Sequence, residues 1–87
     1  MKHKGISLFV LEKLYRNRVV GAKHISLEDL RTGCPSHERG NIEKNLKKLV
    51  KENLVLQHPT SYGMQYALNS QRLQDIMKIL GIDLDEI

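Results

Sequence analysis

Residues 36–53, SHERGNIEKNLKKLVKEN, constrain this chain more than any other stretch. Ile42, Leu46, Leu49 and Val50 stand at i, i+4, i+7 and i+8, the apolar stripe of an amphipathic helix. At about 100° per residue, the opposite side carries His37, Gly40, Asn41, Lys44, Lys47, Lys48 and Lys51. Four of these seven are lysines and none is acidic. Ser36 can cap the first turn, its hydroxyl accepting from an orphan N–H. Asn53 can end the helix, because Asn tolerates the left-handed conformation at that position. The stretch predicts a helix with an apolar back and a basic, hydrogen-bonding front. The rest of the chain must supply something for the back to lie on.

Upstream, residues 5–16 (GISLFVLEKLYR) read as a first helix whose apolar residues cover much of its circumference. It is expected to be the most buried element or partly a subunit contact. The basic residues before its apolar run resemble a signal peptide. Glu12 and Lys13 interrupt that run, however, and no small-residue cleavage site follows. Residues 17–24 have no helical period and contain Gly21, so they predict a loop into a short extended piece around Ile25. In SLEDLRTG, Ser26 is a capping residue with Asp29 three positions later, and Leu27 and Leu30 point inward. Gly33 ends this short helix and Cys34-Pro35 makes the turn into the long one.

Downstream of Asn53 the period changes from 3.6 to 2. LVLQH and MQYAL alternate around the turn residues of HPTSYG, predicting a β-hairpin with a loop of about five residues. Leu54 and Leu56 are expected on one face, and Met64, Tyr66 and Leu68 on one face. Asn69 or Ser70 then caps a last helix, QRLQDIMKIL, with Leu73, Ile76, Met77 and Leu80 on one side and Gly81 as its stop. The fold class is mainly α with a small β-hairpin (α+β). With 87 residues the chain makes a single domain over 1–87, with its core in 5–80 and a tail in 81–87.

The order helix, short strand, helix, helix, strand, strand, helix resembles the winged helix-turn-helix superfamily of transcriptional regulators across residues 5–80. ISLEDLRTGCPS carries the second helix and the turn. NLKKLVKENLVLQ carries the end of the third helix entering the hairpin, and HPTSYGMQYALN the wing. Small single-domain winged-helix proteins common in archaea are similar. Asn53 departs from the family pattern, which often has Gly there, and its left-handed tolerance makes the change benign. The resemblance implies that helix 36–53 lies in the major groove of double-stranded DNA and that the 54–68 hairpin acts as the wing. Carried over, the base-reading candidates are Ser36, His37, Gly40, Asn41 and Lys44, near the helix start. Lys47, Lys48 and Lys51 are placed for phosphates. At the wing tip, Thr60, Ser61 and Tyr62 offer hydroxyls to phosphate or sugar, without the Arg or Lys that many wings present.

Elementary chemistry supports these assignments independently. Recognition-helix N-termini reach base edges, Asn pairs with adenine, and Lys reaches guanine acceptors. Gly40 brings no side chain to hold the helix off the groove floor. Charge is also asymmetric: residues 1–25 carry six Lys and Arg against one acid, 26–58 six against five, and 59–87 two against four. Such a gradient suits a polyanion met by one side of the molecule.

Other function classes find less support. No Ser–His–Asp constellation, phosphate-binding Gly-rich loop or apolar carboxylate pair is present, so no enzymatic activity and no cofactor are expected. Cys34 and His37 have C-x-x-H spacing, but one cysteine falls short of a structural zinc set, and no metal is expected. The single cysteine fits a reducing, cytoplasmic setting, and no apolar run is long enough to span a membrane. One Phe and no Trp give few stacking platforms for RNA. The sequence therefore predicts a DNA-binding transcriptional regulator, a homodimer through helix 1 and the C-terminal helix that reads a palindromic site. The alternative is a winged-helix protein-interaction module within a larger complex.

Overall fold

The structure, a computed structural model, describes residues 5–34 and 39–82. Its elements are α1 (Ile6–Arg16), β1 (Ile25–Ser26), α2 (Leu27–Arg31), α3 (Arg39–Lys51), β2 (Val55–Thr60), β3 (Gly63–Leu68) and α4 (Leu73–Leu80). The strands form one antiparallel sheet in the order β1-β3-β2. The fold is thus mixed α+β in the element order that the periodicities predict. The expected cap at Ser36 and the turn at Pro35 lie outside the described residues, as do positions 83–87 of the tail.

Three helices end in the same way, and each ending determines where the chain goes next. Leu54 N–H reaches Leu49 C=O at 3.1 Å and Asn53 N–H reaches Val50 C=O at 3.0 Å. This is the pattern of a Schellman motif with Asn53 in the left-handed conformation, φ 64°. Gly81 (φ 75°) closes α4 with the equivalent pair of bonds, Ile82 to Met77 and Gly81 to Lys78. Arg18 (φ 55°) closes α1 through Val19 to Leu14 and Arg18 to Tyr15. In α1 and α3 the residues flanking the motif, Leu14 with Val19 and Leu49 with Leu54, are buried and join the core.

The hairpin differs from its expected form. Its strands pair from Val55↔Leu68 to Thr60↔Gly63, leaving a two-residue turn, Ser61-Tyr62, instead of a five-residue loop. Pro59 is accommodated because β2 is an edge strand, where a missing N–H need not break the ladder. Strand phase is also corrected. Leu54 is spent on the end of α3, so Val55 is the buried residue that opens the strand, and Leu56 faces out at 42% exposure. Met64, Tyr66 and Leu68 do share a face, but Met64 lies beyond the core and is exposed. The last helix starts later than expected. Asn69 caps a 3-10 turn, Ser70–Arg72, and α4 follows it.

The core lies between the helices and one sheet face. Val10, Leu11 and Leu14 of α1, Ile42, Leu46 and Leu49 of α3, Leu30, Val55, Leu68, and Ile76 of α4 are all fully buried. Each such side chain contributes about 1.5–3 kcal/mol of transfer free energy. α1 is the central helix, packing against α2, α3, α4 and β3.

Candidate nucleic-acid interface

Burial of Ile42, Leu46 and Leu49 fixes the opposite side of α3 toward solvent. Gly40, Asn41, Lys44, Lys47, Lys48 and Lys51 are all exposed, and they span an arc of about 120° on the helix. The lysines are neighbours at i+3 or i+4: Lys44 with Lys47 and Lys48, and Lys51 with Lys47 and Lys48. Like charges so placed each destabilise a helix by about 0.2–0.5 kcal/mol. No ion pair relieves them among the described residues, where the acid of α3, Glu43, instead approaches Arg31 of α2 at 3.9 Å. Of the sequence-predicted contacts, Ser36 and His37 lie outside the described residues.

Polar contacts lie on both flanks of α3. On one flank, Ser7 Oγ–H of α1 donates to Asn45 Oδ1 at 2.6 Å. Asn45 Nδ2 in turn donates to Asn41 C=O at 2.7 Å, one helical turn earlier. On the other flank is the longer Arg31–Glu43 approach. Glu43 also acts on Tyr66 of β3: burial first, and then the Glu43 carboxylate, push the Tyr66 phenol above its ordinary 10.0. At the far end of α3, Asn69 Nδ2 donates to Asn53 C=O at 2.8 Å and Arg72 Nη1 to Glu52 C=O at 3.3 Å, satisfying carbonyls past the last turn.

The hairpin tip sorts the three expected hydroxyls. Thr60 Oγ1–H donates to Gly63 C=O at 2.7 Å and the same oxygen accepts from Tyr62 N–H at 3.2 Å, so Thr60 closes the turn. Ser61 is exposed, and Tyr62 projects almost wholly into solvent at 96%. Halfway along the hairpin, His58 of β2 stacks on His24 with ring centroids 4.4 Å apart and planes within 9°. Since β3 lies between β1 and β2, the two rings meet across the central strand.

Neither Ser7 and Asn45 nor the two histidines were legible as partners in the sequence. They are distant along the chain, and no local pattern marks either pair. Cys34 is buried with a free thiol. Among the described residues no group of three or more His, Cys, Asp or Glu could hold a metal ion, and no helix is long and apolar enough to cross a membrane. No protein-family model matches this sequence, and no curated protein or solved structure matches it.

Proposed function

We propose that this chain binds double-stranded DNA as a winged-helix transcriptional regulator, with α3 in the major groove and the β2–β3 hairpin as its wing. The observation that carries the reading is the exposed face of α3. Four mutually repelling lysines, with Asn41 and a side-chain-free Gly40 towards the helix start, form a surface that a row of phosphates would neutralise. Lys44 and Asn41 are nearer the bases; Lys47, Lys48 and Lys51 contact the backbone. Ser61 and Tyr62 add contacts from the wing, and Thr60 holds the turn that presents them. Two-fold pairing of copies through α1 and α4 belongs to the same proposal. Its support is the groove that Glu12, Tyr15 and Arg16 of α1 form with Leu80, the last residue of α4, and Ile82.

Fluorescence anisotropy of a labelled random-sequence duplex, titrated at several salt concentrations, tests the reading. Binding should weaken steeply with salt, with a slope reporting about three to six phosphate contacts. Lys44→Ala and Lys48→Ala should each weaken binding while circular dichroism stays unchanged. Absence of binding at low salt would overturn the proposal.

A second reading, a protein-interaction module, is favoured by a different observation. Among the described residues, the exposed large hydrophobics, Leu56, Tyr62 and Met64, all lie on the hairpin. In that case the lysine substitutions would change nothing, and substitutions at these three positions would abolish partner capture.

A further inference from the structure

We infer that Ser7 of α1 and Asn45 of α3 form a rotational lock that sets which side chains of α3 face the DNA bases, making them specificity-determining positions that touch no DNA themselves. The inference rests on the DNA-binding reading above. Ser7 is the buried polar residue of the described chain, at 3% exposure, and its hydroxyl spends its proton on Asn45 Oδ1 across 38 positions of sequence.

The amide of Asn45 can take one orientation only. Asn41 C=O accepts and cannot donate, so the NH2 group must face it, leaving Oδ1 for Ser7. Both ends of the side chain are therefore used. A hydrogen bond weakens steeply as it leaves its preferred line. Ile42, Leu46 and Leu49 choose the buried side of α3, and Ser7–Asn45 adds a directional constraint on its phase.

The opposite flank offers no equivalent constraint. Arg31 and Glu43 approach at 3.9 Å, and Arg31 Nε is buried without a hydrogen-bond partner. Asn45 stands at the margin of the lysine face, directly after Lys44 and one turn beyond Asn41, so a rotation of α3 about its axis carries those side chains with it. Phosphate contacts through flexible lysines tolerate such a displacement, but directional base contacts do not.

The test separates specificity from affinity. Duplexes are selected from a random pool with the wild-type protein, and affinities for the selected and the random duplex are compared for wild type, Ser7→Ala, Asn45→Ala and the double variant. Each single substitution should leave random-duplex affinity and its salt slope unchanged. The selected-to-random ratio should fall at least about fivefold, the low end of one base contact. The double variant should fall no further. Ser7→Thr, which keeps the hydroxyl, should restore the ratio.

An unchanged ratio, or equal weakening of both duplexes, overturns the lock. If Ser7→Ala does not fold, Asn45→Ala alone decides on the same ratio. Wild type that binds neither duplex instead defeats the DNA-binding reading, and the inference with it. A measurement without DNA stands beside these. The chemical shift of the Asn45 side-chain carbonyl carbon, whose oxygen accepts from Ser7, should move in Ser7→Ala, and an unmoved shift would show that no lock exists.

Discussion

Gly40 stands in the first turn of α3, and a Cβ built on it would meet nothing within 4 Å. Its backbone is also outside the left-handed region that favours glycine, so neither space nor conformation within the chain requires Gly there. Glycine in a helix is nevertheless less favourable than Ala by up to about 1 kcal/mol. Gly40→Ala should therefore raise thermal stability by up to about that amount, and on the proposed DNA-binding reading it should also weaken duplex binding, because the added methyl would then meet the groove floor. Thermal denaturation and anisotropy on one preparation measure both. A gain in stability with unchanged binding would show that close approach at Gly40 plays no part. Thr60 teaches the complementary lesson: its residue type suited phosphate contact, but its hydroxyl closes the hairpin turn.

Among the elements, the three Schellman endings form a natural series because they share bonds and differ in the left-handed residue. Gly81 adopts that conformation freely, and Asn53 does so with little strain. Arg18, at φ 55°, carries the penalty that left-handed conformation places on an ordinary L-residue, about 1–2 kcal/mol. Arg18 is also exposed, so little packing is lost on truncation. Arg18→Gly should raise the urea midpoint, with a gain of about 1 kcal/mol after the added freedom of the unfolded chain is discounted. The same substitution at Asn53 should do much less. Equal effects at the two positions would mean that backbone conformation is not what separates them.

At the scale of the whole molecule, Tyr66 links fold stability to pH. Tyr66 lies in the sheet at 7% exposure, and burial followed by the Glu43 carboxylate raises its phenol above 10.0. Below pH 10 both folded and unfolded chains keep the proton and the contribution is fully present. Above it, the unfolded chain loses the proton while the folded chain holds it, so stability falls until the raised value is passed. Wild type should therefore lose stability to urea more steeply above pH 10 than Tyr66→Phe. The other tyrosines and the lysines are common to both proteins and cancel in the comparison. Parallel profiles would remove Tyr66 from the account.

What the sequence determined by itself was set by short-range physics. The apolar spacing of α3 and its lysine face follow from one helical period. The caps at Ser26 and Asn69 and the stops at Asn53 and Gly81 follow from side chains or backbone freedom acting within a few residues. Tertiary structure decided what depends on distant partners. The end of α3 claimed Leu54 and so put Val55, not Leu56, into the core. Pairing with β3 carried β2 through Pro59 and shortened the turn to Ser61-Tyr62. Arg18 took a left-handed conformation that its residue type does not announce, because Val19 had to reach the core beside Leu14. The approach of α1 to α3 turned an unremarked Ser7 and Asn45 into a part-buried hydrogen bond. A period or a cap is read over a turn or two of chain, whereas strand phase and side-chain pairing exist only once separate elements have met.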